Sequence, residues 1–436
     1  MKNNYKIIIY FILGCISINK TLAQTWSTLG TGINFPFFPG SVNALTDYTG
    51  ELYAGGRFDY ADGNVTKNIA KWDGTNWLPL DSGVNGDVLD LAVYKNELYV
   101  SGSFTSAGGI SVHLIAKWNG ASWSSVGTGI KGGHSINALE VFNGELYAAG
   151  QFDTAGNIPT QNIAKWNGST WSPVDTGIGG LILSLATYNG ELYAGGIFYV
   201  SKWNGISWSN INIGSAYHII DNIRAMTEYK NELCVAGSFD SIGLIRANNI
   251  AKWDGVNWTS LNSGTSHLSH ETVSALTLYN NELYMGGFFT DAGGNHASNI
   301  AKWNGINWSP LGNGVNADVA ALTNFNGDLF VGGSFSTAGN ISANSIAKWN
   351  LPIGINEIHF SNSVNIFPNP TTDKIIIEND RGYSNYELYD FTGKLLIKDV
   401  FSNLKLELDF RNFSKGLYFL NINQAGKEIH QKIIKN

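Results

Sequence analysis

One segment recurs along most of this chain, and the recurrence restricts the fold to a repeat architecture. A clear copy is Gly50–Trp77, which holds a Gly-Gly pair shortly before Phe58, a Lys-Trp pair that ends at Trp72, and a second tryptophan at Trp77. The Lys-Trp pair is repeated with its tryptophan at Trp118, Trp166, Trp203, Trp253, Trp303 and Trp349. A period of roughly 37 to 50 residues that contains four β-like segments is typical of one blade of a β-propeller.

Each copy predicts four antiparallel strands, named a, b, c and d. In the first copy, strand a covers residues 42–48, strand b covers 51–58, strand c covers 68–73, and strand d begins at Trp77. Most joints between strands a and b are Asn-Gly or a related pair, which favours a two-residue hairpin because the matching turn needs positive φ. Strand b is apolar on both sides, which indicates a sheet covered on both faces.

The number of copies of each strand predicts how the repeat closes. Strand c occurs seven times, whereas strand d follows it only six times. The missing copy stands at the other end, where residues 24–30 match residues 306–312. We therefore predict an all-β, seven-bladed propeller over residues 24–350, in which strand 25–30 pairs with 345–350. Such closure removes a free sheet edge, and seven blades lie within the usual range.

The blade resembles kelch-type repeats, which also place paired small residues after an aromatic strand, followed by two tryptophans five residues apart. The resemblance covers residues 25–350 and implies a propeller, without a particular function. The long b–c segment and the Lys-Trp pair of strand c depart from the usual kelch pattern.

The amino-terminal residues predict a secretory signal peptide over residues 1–23. A short lysine-containing start precedes an apolar stretch at residues 7–18, and Ala23 supplies a small residue before the cleavage point. An alternative interpretation treats the residues before Cys15 as a lipoprotein signal, with Cys15 acylated. After cleavage behind Ala23, no apolar run is long enough to predict a transmembrane segment.

The composition argues against a nucleic-acid partner and against an internal disulfide in the propeller. The formal net charge is −7, only 14% of residues are charged, and no basic stripe predicts a nucleic-acid surface. Cys234 is the one cysteine left after cleavage. It takes the place of a strand b tyrosine, so we expect a buried side chain in a propeller that packing, and not an internal disulfide, holds together.

The last part of the chain has a different pattern. The repeat stops at a predicted linker, residues 351–360, and residues 361–436 form alternating strands that end in Lys-Ile-Ile-Lys. Phe367-Pro368-Asn369-Pro370, Tyr389–Lys394, Leu408–Phe419 and the terminal motif resemble, in order and spacing, the C-terminal sorting domain of the type IX secretion system of Bacteroidetes. The matching motif residues are Pro368, Asn369, Pro370, Asp390, Gly393, Gly416, Tyr418, Lys432 and Lys435.

This resemblance implies a small β-sandwich that the type IX translocon and sorting machinery recognise. It also implies passage through the periplasm to the extracellular space or the cell surface, with attachment to the outer membrane in some relatives. Whether this protein is released or anchored, and its oligomeric state, stay open.

Two sets of charged residues repeat with the blades. A lysine precedes each strand c tryptophan, and an acidic residue opens each strand b. A ring of charge for ligand binding is one interpretation. We favour a structural one, in which each acid meets a lysine, because a repeated fold needs identical copies whereas a binding site seldom does.

Sequence motifs for catalysis, metals and cofactors are missing. No nucleophile elbow, P-loop or dinucleotide fingerprint occurs, and we predict no catalytic residue, cofactor or metal. His267 and His270 form the one close histidine pair, with no third zinc ligand nearby. Asp90 and Arg224 are charged outliers in strand a. Arg224 is a candidate partner for Asp90, although a solvated channel lining is the favoured interpretation.

The loops predict which face binds ligands. Strand direction places the short a–b and c–d turns on one face, and the long b–c and d–a loops on the other, where function usually lies. The fourth blade lacks most of its b–c loop, which predicts a notch there. Candidate ligand-binding residues on the loop face are Phe37, Phe38, Tyr217, His218, His267 and His270.

Three functions are compatible with these patterns. The favoured one is a secreted or cell-surface binding or adhesion module for a glycan or a protein. The alternative is an enzyme that acts on extracellular polysaccharide through channel or loop-face carboxylates, and a third is an inert surface scaffold. The lack of an acid–base pair at a recognisable spacing favours binding.

Overall fold

The structure is a computed structural model, and it describes residues 25–37, 39–197, 199–211, 220–266, 270–350, 364–379, 384–401, 405–424 and 427–436. The predicted signal peptide and linker lie outside these residues. The chain divides into two compact units, the first ending at Pro352 and the second beginning at Ile353. The described residues contain no helix that is long and apolar enough to cross a membrane.

The first unit contains seven four-stranded antiparallel sheets, each with its strands in the order a, b, c, d. In blades one to seven, strand a covers Ser41–Tyr48, Val88–Tyr94, Ser135–Phe142, Ile182–Tyr188, Ile220–Tyr229, Thr272–Tyr279 and Val319–Phe325. Strand b covers Glu51–Arg57, Glu97–Gly102, Glu145–Gln151, Glu191–Gly196, Glu232–Phe239, Glu282–Phe288 and Asp328–Gly333. Strand c covers Ile69–Trp72, Ile115–Trp118, Ile163–Trp166, Tyr199–Trp203, Ile250–Trp253, Ile300–Trp303 and Ile346–Asn350. Strand d covers Trp77–Pro79, Trp123–Ser125, Trp171–Pro173, Trp208–Asn210, Trp258–Ser260, Trp308–Pro310 and, for the seventh blade, Thr25–Thr28.

The seven sheets surround a common axis. Strand a of each blade lies beside strand a of the next, and strand a of the seventh blade lies beside that of the first. Thr25–Thr28 pairs antiparallel with Ile346–Asn350, so that Trp26 lies opposite Trp349. The all-β propeller and the predicted pairing of the two ends of the repeat are thus confirmed.

The hydrophobic core lies between the blades. One cluster joins Tyr48 and Tyr53 of the first blade to Leu98 and Val100 of the second, and other clusters repeat this arrangement around the ring. Five of the strand d tryptophans also link neighbouring blades, because their indole N–H donates to a carbonyl oxygen of the preceding blade. These bonds are Trp77 to Leu29, Trp123 to Leu80, Trp171 to Val126, Trp308 to Leu261 and Trp26 to Leu311. Cys234 is buried, as predicted.

The repeated lysines and acids pair within each blade, which confirms the structural interpretation. The lysine Nζ lies between 2.6 and 2.9 Å from a carboxylate oxygen in all seven blades. The pairs are Lys71–Glu51, Lys117–Glu97, Lys165–Glu145, Lys202–Glu191, Lys252–Glu232, Lys302–Glu282 and Lys348–Asp328. Because each charge has a partner, its partial burial is tolerated.

Six of the b–c connections are small hairpins, where the sequence indicated long loops. Their strands are Tyr60–Ala61 with Asn64–Val65, Ser106–Ala107 with Ile110–Ser111, Thr154–Ala155 with Ile158–Pro159, Ser241–Ile242 with Ile245–Arg246, Asp291–Ala292 with Asn295–His296, and Thr337–Ala338 with Ile341–Ser342. Ile33–Asn34 and Ile130–Lys131 each add a third strand. The hairpins extend the loop face and give it a rigid backbone.

Close contacts at the hairpin glycines show that the b–c hairpins cover the strand d tryptophans. The fourth blade lacks such a hairpin. A Cβ atom on Gly108 would lie 2.3 Å from the Trp123 ring, and one on Gly156 would lie 2.8 Å from Trp171, so both hairpins cover their strand d tryptophan closely. In the fourth blade, strand b ends at Gly196 and strand c begins at Tyr199. A cavity of 400 Å³ lies there, lined by Trp208 among others. The cavity stands at the predicted notch.

The second unit is a β-sandwich, as predicted. Its three-stranded sheet contains Val364–Phe367, Lys374–Asn379 and Lys405–Asp409, and its four-stranded sheet contains Ser384–Asp390, Leu395–Phe401, Gly416–Gln424 and Lys427–Lys435. Residues from both sheets, including Ile375, Leu388 and Leu420, form one buried cluster between them.

Candidate functional site

The loop face carries an aromatic groove where the seventh blade meets the first. We call the cavity of 630 Å³ lined by Asn34, Phe35, Pro36, Phe37, Pro39, Tyr60, Gly63, Ser336 and Asn344 the aromatic groove. Phe37 is 95% exposed. An aromatic ring this exposed gains nothing from the protein core, so it is available to a ligand.

The backbone beneath the groove is well fixed. The Ile33 amide donates to the Asn344 carbonyl at 2.9 Å, and the Asp59 amide donates to the Asn34 carbonyl at 3.1 Å. The Asn344 side chain donates to the Thr31 carbonyl at 2.9 Å. These bonds join the first blade to the seventh, so the base of the groove is built on the ring closure.

Only part of the predicted ligand-binding set is visible. Phe37 lines the aromatic groove, whereas Phe38, Tyr217, His218 and His267 lie outside the described residues. His270 is exposed, has a φ of 88°, and belongs to the sixth blade, away from the described lining of the groove. Asn34, Tyr60 and Asn344 were not predicted, because they become neighbours only after the ring closes.

A second cavity, of 470 Å³, lies on the propeller axis, and we call it the central cavity. Strand a carries a β-bulge in every blade, and one bulged residue of each blade lines this cavity. These residues are Asn43, Leu89, Asn137, Leu183, Arg224, Ser274 and Ala320. Bulges re-aim side chains. Since they lie near the start of strand a, they stand close to the loop face.

Two bulged asparagines fasten one blade to the next. The Asn43 side chain donates to the Val88 carbonyl at 2.9 Å, and the Asn137 side chain donates to the Ile182 carbonyl at 2.7 Å. Both amide oxygens accept a serine hydroxyl from their own strand. These side chains are therefore occupied in holding the ring.

Asp90 also connects two blades, and its partner is not the one suggested by the sequence. Its carboxylate accepts the amide of Leu91 at 2.8 Å and the amide of Leu139, in the third blade, at 2.7 Å. Arg224 was a candidate partner, but backbone amides fill this role. Burial raises the pKa of Asp90 to about 7, against the opposing effect of the two amides, and the charge of Glu140 adds to the increase.

Metal-binding geometry is not seen in the part of the chain that the structure describes. No group of three His, Cys, Asp or Glu side chains converges there in a way that could hold an ion. His296 lies 3.6 Å from Asp291, a surface contact on the hairpin of the sixth blade.

The sorting-motif residues form three local structures in the second unit. The Asn369 side chain donates to the Lys432 carbonyl at 2.6 Å and accepts the Ile434 amide at 2.9 Å, which fastens the Pro-Asn-Pro segment to the last strand. Asp390 accepts the amides of Thr392 and Lys394 and caps the turn that contains Gly393. The Tyr418 hydroxyl donates to the Ser414 carbonyl at 2.7 Å.

Sequence comparison identifies this second unit. Residues 365–436 match the family described as the secretion system C-terminal sorting domain. The chain therefore carries a type IX sorting domain, which directs export to the cell surface or the extracellular space and handling by the type IX machinery. No curated protein matches the chain.

Comparison with solved structures finds matches at low sequence identity. PorZ of Porphyromonas gingivalis, described as an essential surface component of the type IX secretion system, is 14% identical, with 91% of this chain and 59% of PorZ covered and a TM-score of 0.47. This chain thus spans 59% of the length of PorZ. YjhT is 12% identical, with 63% and 97% covered and a TM-score of 0.35. A protein of unknown function from Bacteroides thetaiotaomicron is 13% identical, with 75% and 76% covered and a TM-score of 0.40.

Proposed function

We propose that this secreted protein is a binding module and that its aromatic groove takes a carbohydrate. The observation that carries the proposal is Phe37, which is 95% exposed on a rigid, hydrogen-bonded frame beside Phe35 and Tyr60. A flat aromatic ring fits the apolar face of a sugar ring, while groups at its edge satisfy the hydroxyls.

The polar part of the groove supports the same ligand class. Asn34, Asn344 and Ser336 supply amide and hydroxyl groups, which both donate and accept hydrogen bonds. A sugar hydroxyl has the same double character. A protein partner, in contrast, needs an interface that covers about 800 Å² of surface on each side. A groove volume of 630 Å³ lies in the size range of small-molecule sites, and it suits a mono- or disaccharide unit better.

A glycan array probed with the full chain tests this proposal. We expect binding to a limited set of glycans and a loss of at least tenfold in affinity in Phe37→Ala. Leu244→Ala is the matched control, because Leu244 is 97% exposed on the loop-face hairpin of the fifth blade, outside the groove. Unchanged affinity in Phe37→Ala, or binding to no glycan at all, would overturn the proposal. Release of products from an array glycan would instead favour the enzyme hypothesis.

A further inference from the structure

The central cavity contains one anchored cation and one carboxylate with an unused oxygen. Arg224 lines the cavity from the fifth blade and Asp318 lines it from the seventh. Asp90 is the third charged side chain of the described lining, and its two carboxylate oxygens already accept backbone amides. Arg224 and Asp318 are therefore the charged groups of this cavity that a ligand can engage.

Arg224 is held in place through one edge of its guanidinium group. Its Nε donates to the Asn222 side-chain oxygen at 3.0 Å, and within the described residues this is the hydrogen bond the side chain makes. The side chain is exposed, so solvent reaches it. A guanidinium fixed at Nε and accessible at its terminal nitrogens is preorganised to bind a carboxylate through two parallel hydrogen bonds.

Asp318 supplies the complementary group. Its Oδ1 is buried, and in the part of the chain that the structure describes it accepts no hydrogen bond. Burial raises the pKa of Asp318, while the charge of Arg224 acts in the opposite direction. A buried oxygen without a donor is costly, so a ligand that brings a hydroxyl or ammonium group to Asp318 removes that cost.

Arg224 and Asp318 differ from the residues at the equivalent positions of the other blades. The cavity-lining bulged positions of the six other blades hold Asn, Leu, Ser or Ala, so among these seven positions Arg224 alone is charged. Asp87 occupies the position of Asp318 in the second blade, but it lies 3.8 Å from Arg57 and is not part of the described lining of the cavity. The charge pattern therefore belongs to the cavity and is not a by-product of the repeat.

We propose that the central cavity binds a small carboxylate that also carries a hydrogen-bond donor, with the carboxylate on Arg224 and the donor on Asp318. A uronic acid, whose donors are hydroxyls, and a free α-amino acid, whose donor is an ammonium group, share this chemistry. The cavity volume of 470 Å³ accommodates either molecule. This site is separate from the aromatic groove and does not rest on it.

Titration of the full chain with defined probes tests the site. The probes are sodium D-glucuronate and D-galacturonate, L-serine as the amino acid, and D-glucose and D-galactose as neutral sugars, followed by saturation-transfer NMR or calorimetry. We expect one carboxylate class to bind and the neutral sugars not to bind. Stronger binding of the uronates would identify a hydroxyl as the donor group, and stronger binding of serine would identify an ammonium group. Either result supports the proposal.

Variants assign any binding to the cavity. Arg224→Gln should weaken binding at least tenfold, Arg224→Lys should weaken it less, and Asp318→Asn should also weaken it. Arg246→Gln and Asp87→Asn are the matched controls and should bind like the unmodified chain, as should Phe37→Ala. Unfolding followed by tryptophan fluorescence verifies that each variant is folded. No carboxylate binding at tens of millimolar, or equal binding by folded Arg224→Gln, would overturn the proposal.

Discussion

Trp26 packs edge-on against Trp349, with their ring centroids 4.9 Å apart and their planes at 61°. Trp26 belongs to the first described strand of the chain, and Trp349 belongs to the last strand of the propeller. The Trp26 indole also donates to the Leu311 carbonyl of the sixth blade at 3.2 Å. One side chain therefore holds the seventh blade together and joins it to its neighbour.

Removing this side chain should open the ring. We expect Trp26→Ala to lower the free energy of unfolding by about 2 to 3 kcal/mol, since it deletes a half-buried aromatic side chain and its ring contact. Thr28→Ala, an exposed change on the same strand, should have little effect. Urea unfolding followed by tryptophan fluorescence measures both. An equal, small effect of the two changes would show that the terminal strand adds little to stability.

Asp90 predicts how stability depends on pH. The pKa of Asp90, about 7 in the folded protein, exceeds the ordinary aspartate value of 3.8. Between these two values the folded state holds a proton that the unfolded state has released, so the unfolding free energy should fall as pH rises from about 4 to 7. Asp90→Asn should flatten this part of the profile, because the amide side chain does not titrate. Unfolding at pH 4.5, 6 and 8 checks both expectations, and an unchanged slope in the variant would contradict them.

Much of the fold was predictable because local patterns repeat. Two-residue turns, the Lys-Trp pair and the count of strand d copies gave the strands, their order and the pairing of Thr25–Thr28 with Ile346–Asn350. The b–c hairpins were missed, although they contain the same turn signals, such as Gly108-Gly109 with φ of 55° and 79°. Their strands are two residues long, too short for alternation of apolar and polar side chains to appear.

The candidate sites were less predictable for a different reason. The aromatic groove joins Phe35 and Phe37 to Asn344, and these positions are adjacent only because the ring closes between the seventh blade and the first. In the central cavity, Asp318 resembles any residue of a d–a loop until the bulge geometry places it on the axis. The separation of two residues along the sequence does not show whether they lie close together in the folded ring.

We expect an ion pair to contribute more to the stability of the protein when its side chains are more buried. Glu97 and Lys117 are 2.7 Å apart, with side chains only 26% and 22% exposed. A double-mutant cycle with Glu97→Gln and Lys117→Met should give a coupling energy of about 1 kcal/mol, since partly buried charges are weakly screened. Arg57 and Asp87, at 3.8 Å and largely exposed, form the control pair, for which we expect about 0.3 kcal/mol. Equal coupling in the two pairs would argue against the effect of burial.

Asn369 offers a test of the sorting domain that separates export from folding. Its side chain makes two hydrogen bonds to the last strand, at the Lys432 carbonyl and the Ile434 amide. Loss of both should cost about 1 to 3 kcal/mol of stability in the second unit, loosen the terminal strand, and reduce surface delivery in Asn369→Ala, with the protein retained in the periplasm.

All 14 tryptophans precede the sorting domain, so their fluorescence reports the propeller alone. We therefore expect Asn369→Ala to leave the tryptophan-detected melting temperature unchanged while surface labelling falls in a host with a type IX system. Asn76→Ala, an exposed change in a c–d turn of the propeller, is the matched control and should be exported normally. Normal surface labelling of Asn369→Ala would show that export does not depend on this contact, and a lowered propeller melting temperature would attribute any export defect to folding.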